Sequence, residues 1–580
     1  MRTVLVLITA ALLSLLSPWL KAEDATLHAV IDEHWQWVVT SSPEYAVFMG
    51  DKSRSDEWDD ASLDNFEARD TVLAGFETRL LAIDPSSLTS ENALNRSLLL
   101  SQIRSQRAQY ELGLHLIAIN MRGGPQSLYT AVETLSFETL GDYERWIKRL
   151  ETVPIRLAQE QAVLAEGIKT GLVQARIIMQ RIPAQLDQIT GVATTDNPFF
   201  KPFLNISANL EPHEQARLIE RASSVIETTV VPAYKTFSEF IETEYLPASR
   251  EEIGLAAVPN GDQLYEFLAR RFTTTELTPE QIHQIGLDEV ARIRSEMESL
   301  IDEIGFDGDL NAFNEFLRSD PQFYYDSPEA LLQAYLAVSK RLDPELVSLF
   351  GRLPRMPYGV RPIPDQIAPD TTTAYYMRPA ADGSRAGFYY VNLYRPEVRP
   401  KYEIEVLSVH EAVPGHHLQI ALAQELEGLP MFRKLSGPTA FIEGWGLYSE
   451  RLGYDMGLYR DPYSRYGQLI YDMWRAVRLV VDTGMHYMGW TRDEAIAYFL
   501  DNAAKSEADI INEIDRYIGW PGQALAYKIG QLKISELRSR AEVKLGDRFN
   551  IRDFHDHLLG AGALPLDLLE QRMDAWIASY

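Results

Sequence analysis

The run Val409-His410-Glu411-Ala412-Val413-Pro414-Gly415-His416-His417-Leu418-Gln419 constrains this chain more than any other stretch. Three of its eleven histidines fall within eight residues, with a glutamate directly after the first. Neutral imidazole is a common zinc ligand, and a carboxylate beside a zinc-bound histidine can take a proton from water on the metal. Two imidazoles share one ion on a helix when they stand at i and i+4, one above the other. Here the i+4 residue is Pro414. On an unbroken helix His416 would sit about 240° round from His410, and His417 about 10.5 Å further along the axis. Neither pairs with His410 that way. Proline removes a backbone donor and clashes with the preceding turn, while glycine tolerates unusual dihedrals. Val413-Pro414-Gly415 is therefore expected to break the helix, absorb two extra residues and return His416 to the metal, with His417 as its rival.

A second acidic cluster, Glu443-Gly444-Trp445-Gly446-Leu447-Tyr448-Ser449-Glu450, follows at a distance that allows helix-loop-helix. Together with His410-Glu411-x-x-Pro414-Gly415-His416-His417 and Pro521-Gly522-Gln523-Ala524-Leu525, it resembles the bacterial proteins grouped as domain of unknown function 885. That group in turn resembles the helical gluzincin peptidases of the oligopeptidase and Taq-type carboxypeptidase kinds. The likeness covers most of the chain, and its specific motifs lie in the last third. It implies a mainly α, large helical protein with a deep active-site cleft and a His, His, Glu site for Zn2+. Carried onto this sequence, it makes His410, His416 and Glu443 the ligands and Glu411 the general base. The Pro414-Gly415 interruption departs from the ordinary gluzincin pattern at the second ligand, and membership leaves the substrate open.

The remaining composition sets limits. A chain of 580 residues exceeds what one simple core usually supports. Residues 1–22 read as a secretory signal: Arg2, an apolar run from Val4 to Leu16, then Ser17-Pro18-Trp19-Leu20-Lys21-Ala22, with Ala22 as the small residue at the cleavage point. Export to the periplasm or beyond follows, with no stable membrane insertion once the signal is gone. Cysteine is absent, which excludes disulfides, a thiol nucleophile, Cys-ligated zinc and acylation at cysteine. Removing Arg2 and Lys21 from the 55 basic residues leaves 53 against 83 acidic, a net charge of −30. Such a surface repels nucleic acid and anionic lipid, so neither is an expected partner.

Helical periodicity dominates from about residue 25 to 300, for example in Leu98–Leu116 and Tyr143–Ile168. Breakers at Pro259-Asn260-Gly261 divide an N-terminal helical region (23–260) from a catalytic region (261–580) carrying the zinc motif. Thr278-Pro279-Glu280 reads as a helix start. Between Gly351 and Pro400, Thr373–Met377 and Gly387–Asn392 have the aromatic and β-branched content of short strands, and Asp382-Gly383 suits a turn between them. These strands are expected beside the zinc-binding helix. Phe388–Asn392 could be a free edge that pairs with extended peptide, making Asn392 a substrate-binding residue, or part of a plain structural hairpin.

Two later segments add candidates. Arg478, Asp482 and His486 lie at four-residue steps on one helix face. Such a stripe is normally a solvated face or an ion-pair ladder; alternatively His486 or Arg478 faces the cleft and holds a substrate carboxylate or carbonyl, with Arg478 as the substrate-binding candidate. The Pro521-Gly522 turn leads into a helix carrying Tyr527, whose phenol suits an oxyanion partner. His555-Asp556-His557 points its two imidazoles apart and reads as surface or structural. The expected activity is a zinc-dependent hydrolase of small or unfolded peptides, with Glu411, Tyr527 and His486 as catalytic residues. The competing classes are a zinc hydrolase of a non-peptide amide or ester, and a non-catalytic periplasmic binding protein with a structural metal.

Overall fold

The computed structural model describes residues 23–364, 368, 372–380, 383 and 385–580. The signal-like segment 1–22 and the turn residue Asp382 lie outside the described residues. The fold is mainly α with one small sheet. The chain divides into two compact units, the first running to Glu251 with Pro430–Phe432, the second Glu252–Leu429 with Arg433–Tyr580. The division falls a few residues before Pro259-Asn260-Gly261, which opens the helix Gly261–Thr273.

The first unit is a helical bundle around an aromatic core that includes Tyr143, Trp146, Phe199, Phe203, Tyr234 and Phe237. Its helix Leu140–Glu151 shows why the sequence folds this way. Thr139 and Asp142 form a reciprocal capping box, and Tyr143, Trp146, Ile147 and Leu150 recur at helical spacing and are all buried. Further on, π-turns at Ile226–Val230 and Ile241–Tyr245 stand just before Pro232 and Pro247. A proline that cannot donate to the preceding turn is accommodated by widening the helix rather than ending it.

The second unit holds every segment singled out for chemistry. Helix Pro279–Ile304 starts with the capping box of Thr278 and Gln281. Six helices build the site: α1 (Ile404–Glu411), α2 (His416–Glu425), α3 (Thr439–Asp455), α4 (Pro462–Tyr487), α5 (Glu507–Gly519) and α6 (Ala526–Leu545). α4 lies against Pro279–Ile304 so closely that a side chain at Gly286 would meet Leu479 and Val480 at 2.8 Å. The wholly buried Lys528 of α6 ties these helices together, donating to Asp472 (2.5 Å) and Gln531 (3.0 Å) and pairing with Glu289 (2.9 Å). A buried ammonium is tolerated because all its donors are met by acceptors, two of them charged.

The sheet contains β1 (Tyr358–Pro362), β2 (Ala374–Met377) and β3 (Gly387–Val391) in the order β1-β3-β2. β3 pairs antiparallel with β2, Tyr375 opposite Tyr390, and parallel with β1, Val360 opposite Tyr389. Along β3, Tyr389 and Val391 are buried while Phe388 and Tyr390 are half-exposed, the alternation a two-faced sheet requires. β3 is the central strand, so both of its edges are already hydrogen-bonded. The expectation that Phe388–Asn392 offers a free edge to substrate therefore does not hold. The neighbour that removes it, β1, lies in a proline-rich stretch that does not read as a strand.

α3 and α6 cross at Gly444 and Gly530. A Cβ on Gly530 would sit 1.9 Å from the Ala440 carbonyl oxygen and 2.8 Å from the Gly444 Cα. Alanine is the better helix former, yet Gly530→Ala should destabilise the protein by about 3 kcal/mol or more, because main chain has nowhere to move. Gly75→Ala, with nothing within 4 Å of its new Cβ in the helix Leu63–Ala82, should instead stabilise by roughly 0.5–1 kcal/mol. Thermal or denaturant unfolding of the two variants checks the sign of each.

Candidate metal centre

α1 ends at Glu411 and α2 begins at His416, with Ala412–Gly415 as a tight break between them. Two contacts explain its shape. The Gly415 amide donates to the Val409 carbonyl (2.9 Å), and a Cβ at Gly415 would lie 1.9 Å from the His410 carbonyl oxygen. The indole N–H of the fully buried Trp445 donates to the Pro414 carbonyl (2.9 Å), which fastens the break to α3.

The break brings the His410 and His416 rings within 4.7 Å, nearly perpendicular at 89°. Glu443 of α3 completes the group: its Oε2 lies 3.8 Å from His410 Nε2 and 3.5 Å from His416 Nε2. One donor atom from each of the three can be chosen so that all lie within 4.8 Å of one another. Tetrahedral zinc with ligand bonds of about 2.0–2.1 Å requires donors about 3.3 Å apart, so this set is close to what such an ion takes. No fourth His, Asp or Glu joins the group among the described residues.

A further carboxylate backs the group. The wholly buried Glu450, two turns on from Glu443, accepts a 2.8 Å hydrogen bond from His410 Nδ1. That bond fixes the tautomer that leaves the Nε2 lone pair facing Glu443 and His416. Burial alone would lower the His410 pKa, but Glu443 and Glu450 on either side raise it to about 9. Burial likewise raises the Glu443 carboxyl, and the hydrogen bonds from His410 and His416 more than reverse this, holding it well below the usual carboxylate range. The pocket thus draws a positive charge between the imidazoles and Glu443, which a divalent cation would supply. Glu411 is half-buried beside His410, and its side chain carries no hydrogen bond or ion pair among the described residues.

His417 turns away from this group. Its Nε2 donates to the Met356 carbonyl (3.0 Å), and its Nδ1 accepts from the Tyr376 hydroxyl (2.8 Å). Burial lowers its pKa to about 4, so it is a neutral link from α2 to β2 and the chain before β1. Tyr527 stands near the group: after burial, the Glu443 charge is the largest influence raising its hydroxyl pKa. The Arg478 guanidinium lies 4.5 Å from the centre of the Tyr527 ring.

Two other expectations fail. His486 is fully buried, its Nδ1 accepting from the Leu255 amide (3.1 Å) and its Nε2 donating to the Tyr517 carbonyl (2.9 Å). Both ring nitrogens are engaged by main chain, so it holds helices together and does not face a cleft. Asn392 is also buried, its Nδ2 donating to the Ala368 (2.8 Å) and Thr372 (3.2 Å) carbonyls. It braces the chain around β2 and is not a substrate contact. The Arg478-Asp482-His486 stripe is likewise no solvated ladder, since all three are buried. His555 is structural, accepting from Tyr448 (2.8 Å) and donating to the Leu349 carbonyl (2.9 Å).

Sequence reasoning placed Glu450 and Gly446 in the second acidic cluster but gave neither a role. Glu443 and Glu450 are seven apart and so share a helix face, which is the signal that could have found the second carboxylate. Gly446 lies between them under the His410 ring, where a Cβ would stand 2.8 Å from the imidazole. If Glu450 orients a ligand, Glu450→Gln should weaken metal affinity about 10–100-fold while leaving the fold intact. Competition with a chromophoric chelator measures this against the wild type.

The chain matches the family described as "Bacterial protein of unknown function (DUF885)" over residues 43–573. Among solved structures, "the putative lipoprotein from Colwellia psychrerythraea" is similar at TM-score 0.91 and 28% identity, with 96% of this chain and 100% of that one covered. "A putative lipoprotein of unknown function from Shewanella oneidensis" shares the fold at TM-score 0.72 and 18% identity, over 94% and 98% of the two chains. "A putative oligoendopeptidase F from Bacillus anthracis str. Ames" aligns at TM-score 0.32 and 12% identity over 90% and 97%, a likeness too slight to argue from. No protein of curated function matches. With nearly its whole length matched, the chain belongs to the DUF885 family of bacterial proteins.

Proposed function

We propose that this protein is an exported zinc-dependent hydrolase of peptide bonds, with the ion held by His410, His416 and Glu443. The observation that carries the reading is the donor set itself. Three ligand atoms converge without a fourth among the described residues, next to Glu411, whose carboxylate has no hydrogen bond or ion pair among them. A structural zinc is usually closed by four protein ligands, whereas a catalytic one keeps a position open. This favours catalysis over the binding-protein alternative.

When bound, zinc supplies Lewis acidity that acidifies water and polarises an acyl oxygen. The protein's own groups do the rest. Glu450 keeps His410 oriented through Nδ1. Glu411 accepts the proton of the attacking water and passes it to the leaving amine. The Tyr527 phenol donates a hydrogen bond to the acyl oxygen as negative charge develops there. His486 has no part in this scheme.

Export rests on the signal-like residues 1–22. No described helix is long and apolar enough to cross a membrane. The two similar structures carry the word lipoprotein, but this chain contains no cysteine and so cannot be acylated at one.

Purified protein should hold about one zinc per chain, as expected of a three-ligand site. Glu411→Gln should keep the metal and lose about 10²–10⁴-fold in kcat, whereas His410→Ala should lose both metal and activity. Tyr527→Phe should lower kcat about 10²–10³-fold at nearly unchanged KM. Elemental analysis with mass-spectrometric cleavage of a mixed peptide library measures all three. Full turnover in Glu411→Gln would remove the base assignment. Hydrolysis of simple esters with every peptide left intact would replace the substrate class.

A further inference from the structure

One face of α4 carries cationic groups that the scheme above leaves unused. Arg475 and Arg478 are three residues apart on α4 and over nine-tenths buried, at 7% and 6% exposure. Their guanidinium carbons lie 5.6 and 5.4 Å from the centre of the same half-buried Trp474 ring, and the Lys505 ammonium lies 4.9 Å from it. Both arginines border the metal group. Arg475 Nη2 is 3.7 Å from Glu450, the carboxylate that holds His410. Arg478 lies over the Tyr527 ring.

Neither guanidinium has all its donors met among the described residues. Arg475 donates through Nη1 to the Tyr471 carbonyl (3.3 Å), and its buried Nε has no partner. Arg478 donates through Nε to the Tyr517 hydroxyl (2.7 Å) and through Nη2 to Glu513 (3.1 Å), and its buried Nη1 has no partner. The carboxylates nearby are already shared. Glu450 serves His410, Glu513 also takes Arg516 (2.9 Å) and Tyr517 (2.7 Å), and Glu403 takes Lys505 (2.6 Å) and Tyr471 (3.0 Å). Asp482, one turn beyond Arg478, is occupied by the Tyr265 hydroxyl (2.6 Å) and the Gly522 amide (3.0 Å). Arg475 Nε and Arg478 Nη1 are thus buried donors with no partner among the described residues, although each of these four carboxylates already accepts from another group and only Glu450 Oε2 and Asp482 Oδ2 stay open. Buried cationic donors of this kind are normally paired, and a forked guanidinium suits a planar carboxylate.

We propose that Arg475 and Arg478 form a carboxylate-binding pair beside the metal centre, so that the preferred substrate is a peptide presenting a free carboxylate there. This rests on the reading of His410, His416 and Glu443 as a hydrolytic site, and it names which peptides that site takes. The carboxylate is either the peptide's C-terminus or an acidic side chain.

Equilibrium binding of labelled tetrapeptides carrying a reduced, uncleavable peptide bond tests the pair without turnover. Three forms are compared on zinc-loaded protein: free acid, neutral C-terminal amide, and C-terminal amide with one internal glutamate. The free acid or the glutamate amide should bind about 10–100-fold more tightly than the neutral amide, and which of them does so identifies the source of the carboxylate. That ratio should collapse in Arg475→Gln and in Arg478→Gln variants that melt like the wild type. If a glutamine variant does not fold, the corresponding Arg→Lys variant keeps the charge without the fork, and its ratio must also fall. Equal binding of all three peptides, or a ratio unchanged in the folded variants, overturns the proposal. A protein that shows the preference but never cleaves peptide contradicts the hydrolase reading and leaves the pair standing. One that cleaves acid and amide peptides alike contradicts the pair alone.

Discussion

The His410 imidazole lies across α3, and the rest of the centre depends on that placement. Glu443 and Glu450 stand two turns apart on the helix, one facing Nε2 and the other bonded to Nδ1. Gly446 between them leaves the room the ring occupies. A single side chain at that position would push α1 and α3 apart and separate His410 from both carboxylates. The protein meets the cost of burying two acids by placing an imidazole between them, so polar groups that would be expensive alone become mutually supporting.

The same logic explains the interrupted motif. A continuous helix presents i and i+4 to one ion; this chain ends α1, makes a tight break and starts α2 at the second histidine. Close main-chain packing at Gly415 and the Trp445 bond to Pro414 hold the break in one shape. Behind it, Gly444 and Gly530 let α3 and α6 touch backbone to backbone. α3 therefore works through its whole length: Glu443 beside both imidazoles, Gly444 against α6, Trp445 on the break, Gly446 under His410, Tyr448 on His555 and Glu450 behind His410.

What the sequence made legible was local. The mainly helical class, the helix start at Thr278, the Pro521-Gly522 turn and the need for a break at Pro414-Gly415 all follow from neighbouring residues. The convergence of His410, His416 and Glu443 was anticipated from spacing and family likeness. What stayed hidden depends on partners far along the chain. Asn392 and His486 looked available because nothing near them in sequence announces the carbonyls of Ala368 and Tyr517. The Arg478 stripe has the periodicity of an exposed ladder, and only the covering by α5 and the Gly522 turn makes it buried. A free edge at β3 stayed open beside a plain hairpin because β1 could not be seen among prolines.

The central claim is that His410, His416 and Glu443 hold one divalent ion with a position left open. Anomalous scattering at the zinc edge from crystals of the zinc-loaded protein measures this most directly. The account predicts one strong peak per chain, bonded to His410 Nε2, His416 Nε2 and Glu443 at about 2.0–2.2 Å, with no fourth protein ligand. A peak at His417, a site closed by a fourth side chain, or no peak near His410 would contradict it.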